Sequence, residues 1–113
     1  MRYVMLIYHD QKLPATSEEA VELKRAFGIF HNEMQLREIS FSSEALLPVE
    51  MARTVRVGGE GVMISDGPFA ETKEQIGGVF IVDCADWDVA VEVAGMLPVM
   101  QGSVVEIRPI LPF

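Results

Sequence analysis

Met1-Arg2-Tyr3-Val4-Met5-Leu6-Ile7-Tyr8 sets the problem that the rest of the fold must solve. Read as a strand, it puts Tyr3, Met5 and Ile7 on one face and Val4, Leu6 and Tyr8 on the other, because successive strand side chains point to opposite sides. Both faces are largely apolar. Gly77-Gly78-Val79-Phe80-Ile81-Val82 repeats the pattern later in the chain. An antiparallel sheet with one wet face alternates apolar and polar residues. A sheet built around these two segments therefore needs cover on both sides.

Two helices can be read outward from them. Thr16-Ser17-Glu18-Glu19 fits a capping box with Thr16 at the N-cap and Glu19 at N3. From there Ala20, Leu23, Phe27, Phe30 and Met34 recur every three or four residues, which predicts a helix with one apolar stripe running to about Arg37. Asp86 caps a second helix, with Asp88 favourable in its first turn. Trp87, Ala90, Val91, Ala94 and Leu97 are its expected core face, and Pro98 stops it. His9-Asp10-Gln11-Lys12 leaves the first strand, and Pro14 marks a loop.

Ile39 to Leu47 is ambiguous, although Ile39-Ser40-Phe41-Ser42 alternates like a strand. Arg53 to Val57 alternates clearly, Gly58 to Gly61 supplies a turn, and Val62-Met63-Ile64 returns. Ser103 to Ile110 is the last strand. The order is that of an α+β, ferredoxin-like split β-α-β arrangement with an added hairpin, in one domain. Two helices cover one face of such a sheet. The other face must pack on something, and a second copy of the chain is the simplest partner, so a homodimer is expected.

The chain has 113 residues, half of them hydrophobic (50%), with 17 acidic against 9 basic residues and a net charge of −8. No Lys/Arg cluster is denser than Lys24-Arg25, so phosphate neutralisation, and with it nucleic acid and anionic membrane, is set aside. No segment reaches the roughly 18 apolar residues of a membrane span. The first residues lack a signal-peptide pattern, and the lone Cys84 suits a reducing compartment, so a cytoplasmic location is expected.

Ser65-Asp66-Gly67-Pro68-Phe69-Ala70-Glu71-Thr72-Lys73-Glu74-Gln75-Ile76-Gly77-Gly78 resembles the DGPF signature of the YCII-related family. The opening strand, the aspartate-led second helix and the close Ser103 to Pro109 agree with it, so the resemblance covers nearly the whole chain. It departs most between Ile39 and Met51, where the family more often has glycines. The resemblance implies a dimeric α+β barrel of ferredoxin-like subunits. Some members resemble modules that accompany extracytoplasmic-function sigma factors. In one branch, a histidine on the first helix and an aspartate before a proline after the second helix are suggested as a catalytic pair. His31 lies on the first helix, but Leu97 precedes Pro98, so the aspartate of that pair is missing.

Candidate residues follow. At about 100° per residue His31 projects about 40° from Phe27, at the border of the apolar stripe. There it could act as a general acid or base, or be a half-buried histidine bonded to backbone. Asp66 could orient it, or serve an Asx turn with Gly67 and Pro68. Phe69 suits a core or dimer anchor, with ligand stacking as the alternative. Glu71 and Lys73 could bind a ligand, Lys73 through an anionic group, or form a solvated ion-paired loop. His9 and Asp10 could join His31 in a metal site, but no tight His/Cys/Asp spacing supports one, and no metal or cofactor is expected. Cys84 lacks an activating neighbour, and Asp83 and Asp86 would raise its pKa.

Two functional readings result. The first is an enzyme acting on a small molecule in a pocket between sheet and helix, with His31 and Asp66 as acid–base pair. The second is a non-catalytic ligand- or protein-binding module.

Overall fold

The computed structural model describes residues 1–10 and 16–113. The expected departure of the chain at Gln11-Lys12 and the loop at Pro14 lie outside the described residues. Among the described residues six strands and two helices follow in order: β1 (Arg2–His9), α1 (Ser17–Leu36), β2 (Ser40–Ala45), β3 (Arg53–Gly58), β4 (Gly61–Asp66), β5 (Gln75–Asp83), α2 (Trp87–Gly95) and β6 (Val104–Pro109). A single 3-10 turn, Val49–Met51, precedes β3.

Four strands form one sheet in the order β2-β5-β1-β6, every neighbouring pair antiparallel. This mixed α+β topology is consistent with the ferredoxin-like arrangement expected from the element order. The two apolar strands, β1 and β5, take its centre. Tyr3, Met5 and Ile7 of β1 are buried with Phe80 and Val82 of β5 beneath Phe30 and Met34 of α1 and Ala90 and Val93 of α2. Phe30 meets Phe41 and Phe80 edge-to-face at 5.0 and 5.6 Å, the geometry favoured by ring quadrupoles.

The caps explain where the helices start. Thr16 Oγ1 accepts from the Glu19 amide at 3.1 Å, and Asp86 Oδ1 accepts from the Val89 amide at 3.0 Å. At the end of α1 the Ile39 amide reaches Met34 O at 2.9 Å and the Glu38 amide reaches Gln35 O at 3.1 Å. That is a Schellman closure, and it puts Glu38 in the left-handed region at φ 57°. Arg37 then ties the helices together, bonding Glu33 at 2.8 Å and Glu92 of α2.

Two expected core faces are corrected. On α2 the buried valine is Val93, three residues after Ala90, whereas Val91 is 58% exposed and Trp87 47% exposed. The sheet lies along the 90-93-97 row, and Trp87 sits at its margin with its ring 5.3 Å from Tyr3. On α1 burial is confined to Phe30 and Met34; Ala20 is exposed and Phe27 is 39% exposed. The stripe's first two turns run past the region where the sheet fills in.

The face of the sheet away from the helices carries Val4, Leu6 and Tyr8 of β1 opposite Ile81, Val79 and Ile76 of β5. Edge strands flank this apolar centre with polar groups: Ser42 and Glu44 on β2, Glu106 and Arg108 on β6. Tyr8 Oη donates to Glu106 Oε1 at 3.0 Å across the boundary.

β3 and β4 make a separate two-stranded arm. Val55 pairs with Ile64 and Val57 with Val62, so one face of the arm is four apolar residues, all exposed. Its root is held by the Gly67 amide to Ala52 O and by Thr54 Oγ1 to Gly67 O, both at 2.8 Å.

Candidate functional site

The ladder between β1 and β5 breaks once. Ile7 pairs with Gly78, but Tyr8 pairs with Ile76, so Gly77 is an extra, bulged residue. The imidazole of His9 lies over it. A Cβ built on Gly77 would stand 1.8 Å from His9 Nε2, so only glycine admits the ring here. His9 is half-buried, and its Nδ1 is buried without a hydrogen-bond partner.

His9 forms part of the wall of an open cleft of about 420 Å³. Asp10 continues from it, and the stretch after β4 supplies Glu71, Thr72, Lys73 and Gln75 on the other side. Leu46, Pro48 and Val49 close the apolar end. The loop is shaped by its own side chains. Gln75 Nε2 donates to Ala70 O at 2.7 Å and to Thr72 O at 2.9 Å, while Thr72 Oγ1 donates to Glu74 O at 2.7 Å. These bonds leave Glu71 and Lys73 free to project, and Lys73 Nζ stands 3.9 Å from Asp10 Oδ2. The cleft therefore offers an imidazole, a lysine–aspartate pair and a glutamate around an apolar end wall.

The residues singled out from sequence separate. Glu71 and Lys73 line this cleft. His31 is exposed on α1, its ring edge-on to Phe41 at 5.9 Å. Asp66 ends the arm with its side chain 94% exposed, 3.8 Å from Arg53 Nε. No hydrogen bond or ion pair joins His31 to Asp66 among the described residues. Phe69 is 72% exposed and takes the Arg56 guanidinium over its ring at 5.1 Å.

His9 entered the sequence reading only as a metal ligand. Its position was signalled by the double glycine of an otherwise apolar central strand, which marks a bulge or a close approach. Among the described residues no group of three or more His, Cys, Asp or Glu stands close enough together to hold a metal ion. Cys84 is buried, and burial first, with Asp86 and Asp83 adding less, pushes its thiol pKa up. Among the described residues no helix is long and apolar enough to cross a membrane.

Comparison with known proteins bears on the whole chain. An uncharacterised protein of Rhizobium meliloti (strain 1021) is 31% identical over 114 residues, covering 97% of this chain and 92% of that one. The family model described as the YCII-related domain matches residues 1–113, end to end with the strands and helices of the fold, and the chain belongs to the YCII-related domain family.

Proposed function

We propose that this chain acts on a small organic molecule bound in the cleft beside the DGPF-like loop, with His9 as the group that gives or takes a proton. The observation that carries the reading is the imidazole fixed over the Gly77 bulge at the wall of a cleft of about 420 Å³. A general acid or base must be held within hydrogen-bond reach of its substrate, and His9 stands at the cleft wall with its ring packed against the Gly77 backbone, where a turn of the side chain would bring a nitrogen to the ligand. Lys73 and Asp10 would orient polar groups of the ligand, with Glu71 beside them. In this reading Asp66 serves the arm, in a loose ion pair with Arg53, and His31 supports Phe41. The acid–base role passes from the pair expected in the sequence to His9.

A homodimer belongs to the same proposal. The apolar centre of the open sheet face, Val4, Leu6, Val79 and Ile81, lies between polar edges, as an interface core lies inside its rim. Packing two such faces would complete a dimeric α+β barrel. A second reading, a module that docks a protein partner such as a sigma factor, draws support from the exposed apolar face of the arm.

The test is a fragment screen by NMR on labelled protein. Hits are expected to shift the His9 ring and the Thr72 and Gln75 amides, and His9→Asn should lose them. If hits gather instead at His31 or on the β3–β4 arm, and His9→Asn binds them as the parent does, the cleft is not the site.

A further inference from the structure

On the other side of His9, between the sheet and the helices, lies a second space of about 200 Å³. Ile7, Leu23, Phe27, Phe80 and Val99 supply much of its apolar lining. His9 and Ser103 also line it, and their Nδ1 and Oγ are the two side-chain polar atoms buried without a hydrogen-bond partner among the described residues. The register explains their meeting. The β1–β6 ladder ends at Tyr8 opposite Val104, and His9 and Ser103 are the next residue of each chain segment beyond that last pair. Two unpaired polar groups beside one apolar chamber are unusual, because each such group costs about 1–3 kcal/mol while it lacks a partner.

We propose that this chamber takes the apolar body of the ligand, and that the ligand is a neutral single-ring molecule, or one of that size, whose hydroxyl or carbonyl bonds to His9 and Ser103 once their side chains turn to meet it. The inference rests on the reading of His9 as the centre of the site. Size supports it: an enclosed 150 Å³ cavity lined by aliphatic and aromatic side chains holds benzene, and this space, open on one side, is somewhat larger. Charge supports it too. Among the described lining residues there is no Lys or Arg, and Glu44 is at the wall, so an anionic head would be desolvated without a counter-ion. A neutral hydroxyl or carbonyl meets both orphaned atoms without that cost. The ligand would thus lie in the chamber with its polar end at His9, where the cleft and Lys73 begin.

The test uses phenol, toluene and benzoate as probes in an NMR titration of the full chain, read at the methyl groups of Ile7, Leu23 and Val99. Phenol is expected to shift all three and to bind about tenfold more tightly than toluene, with benzoate weakest. Ser103→Ala should bring phenol down towards toluene and leave toluene unchanged. Ser103→Thr, which keeps the hydroxyl, should retain the preference for phenol and serves as the check should Ser103→Ala unfold. No shift at these methyls with any probe would overturn the proposal, as would equal affinity for phenol and toluene or a preference for benzoate. Phenol shifts confined to the Thr72 and Gln75 amides would place the probe in the open cleft, sinking this inference while leaving the cleft reading in place.

Discussion

One added methyl at position 77 would bring a carbon to 1.8 Å from His9 Nε2, and either the ring must leave its rotamer or the bulge must open. Gly77→Ala is therefore expected to lose about 1–3 kcal/mol, the usual range for overpacking, measured by urea denaturation. Its His9 ring resonances should move further than those of His31, which sits on α1 against Phe41. Gly67, by contrast, was legible as a turn residue: it sits at φ 94°, where the Asp-Gly-Pro sequence places a glycine. Turn chemistry is local, so sequence reports it. The His9–Gly77 contact joins residues that lie far apart in the chain, and only the strand register brings them together. Cys84 carries a pH prediction. Its thiol pKa is raised in the folded protein, chiefly by burial. The neutral form is thus favoured in the fold, and that stability is full below the unfolded thiol pKa of about 8.5 and is lost as pH climbs through the higher folded value. Denaturation midpoints should fall between about pH 8 and pH 10, and fall less in Cys84→Ala when each protein is compared with its own value at pH 7. An equal fall in both would remove the thiol from the account.

Among the elements, α1 ends on a residue ill suited to its geometry. Glu38 holds the left-handed C′ position of a Schellman closure, where glycine pays no steric penalty and an L side chain pays about 1–2 kcal/mol. Glu38→Gly is expected to raise stability by about 1 kcal/mol, seen as a higher urea midpoint with an unchanged slope; a lower midpoint would mean that the glutamate makes compensating contacts. The end of α1 was placed near Arg37 from sequence and lies at Leu36. Its start was legible because Thr16 and Glu19 write the cap in side chains. The face of α2 was not. Val91 and Val93 are chemically alike, and nothing local says which one meets the sheet; the tilt of the helix over β1 and β6 decides, and it buries Val93. β2 was ambiguous for a related reason: its serines have no apolar period of their own, and it is a strand because β5 offers it an edge, with Phe41 turned into the core.

At the scale of the whole molecule, the radius of gyration is 16.1 Å, above the about 13 Å of a compact domain near this length, and the extents are 51 × 41 × 18 Å. A thin layer with a projecting arm leaves an apolar sheet face open, as the first eight residues of the sequence had required. Sedimentation at micromolar concentration is expected to give a dimer. Leu6→Lys with Ile81→Lys, both on the open face, should give a folded monomer with unchanged far-UV dichroism. A parent protein sedimenting as one chain would defeat the interface; a doubly substituted protein that stays dimeric would move it elsewhere, most simply to the arm. The sheet order has a further consequence for how the molecule is made. β1, at the centre, pairs with β5 through Arg2 and Asp83 and with β6 through Tyr3 and Pro109, both near the far end of the chain. Non-local pairing of this kind slows folding, because the closure entropy of long loops is lost before contacts repay it. On the ribosome β1 must wait, apolar on both faces, until nearly every other element has been synthesised. The sheet therefore closes only once β5 and β6 have been made, and this first strand is the segment a chaperone would need to shield in the meantime.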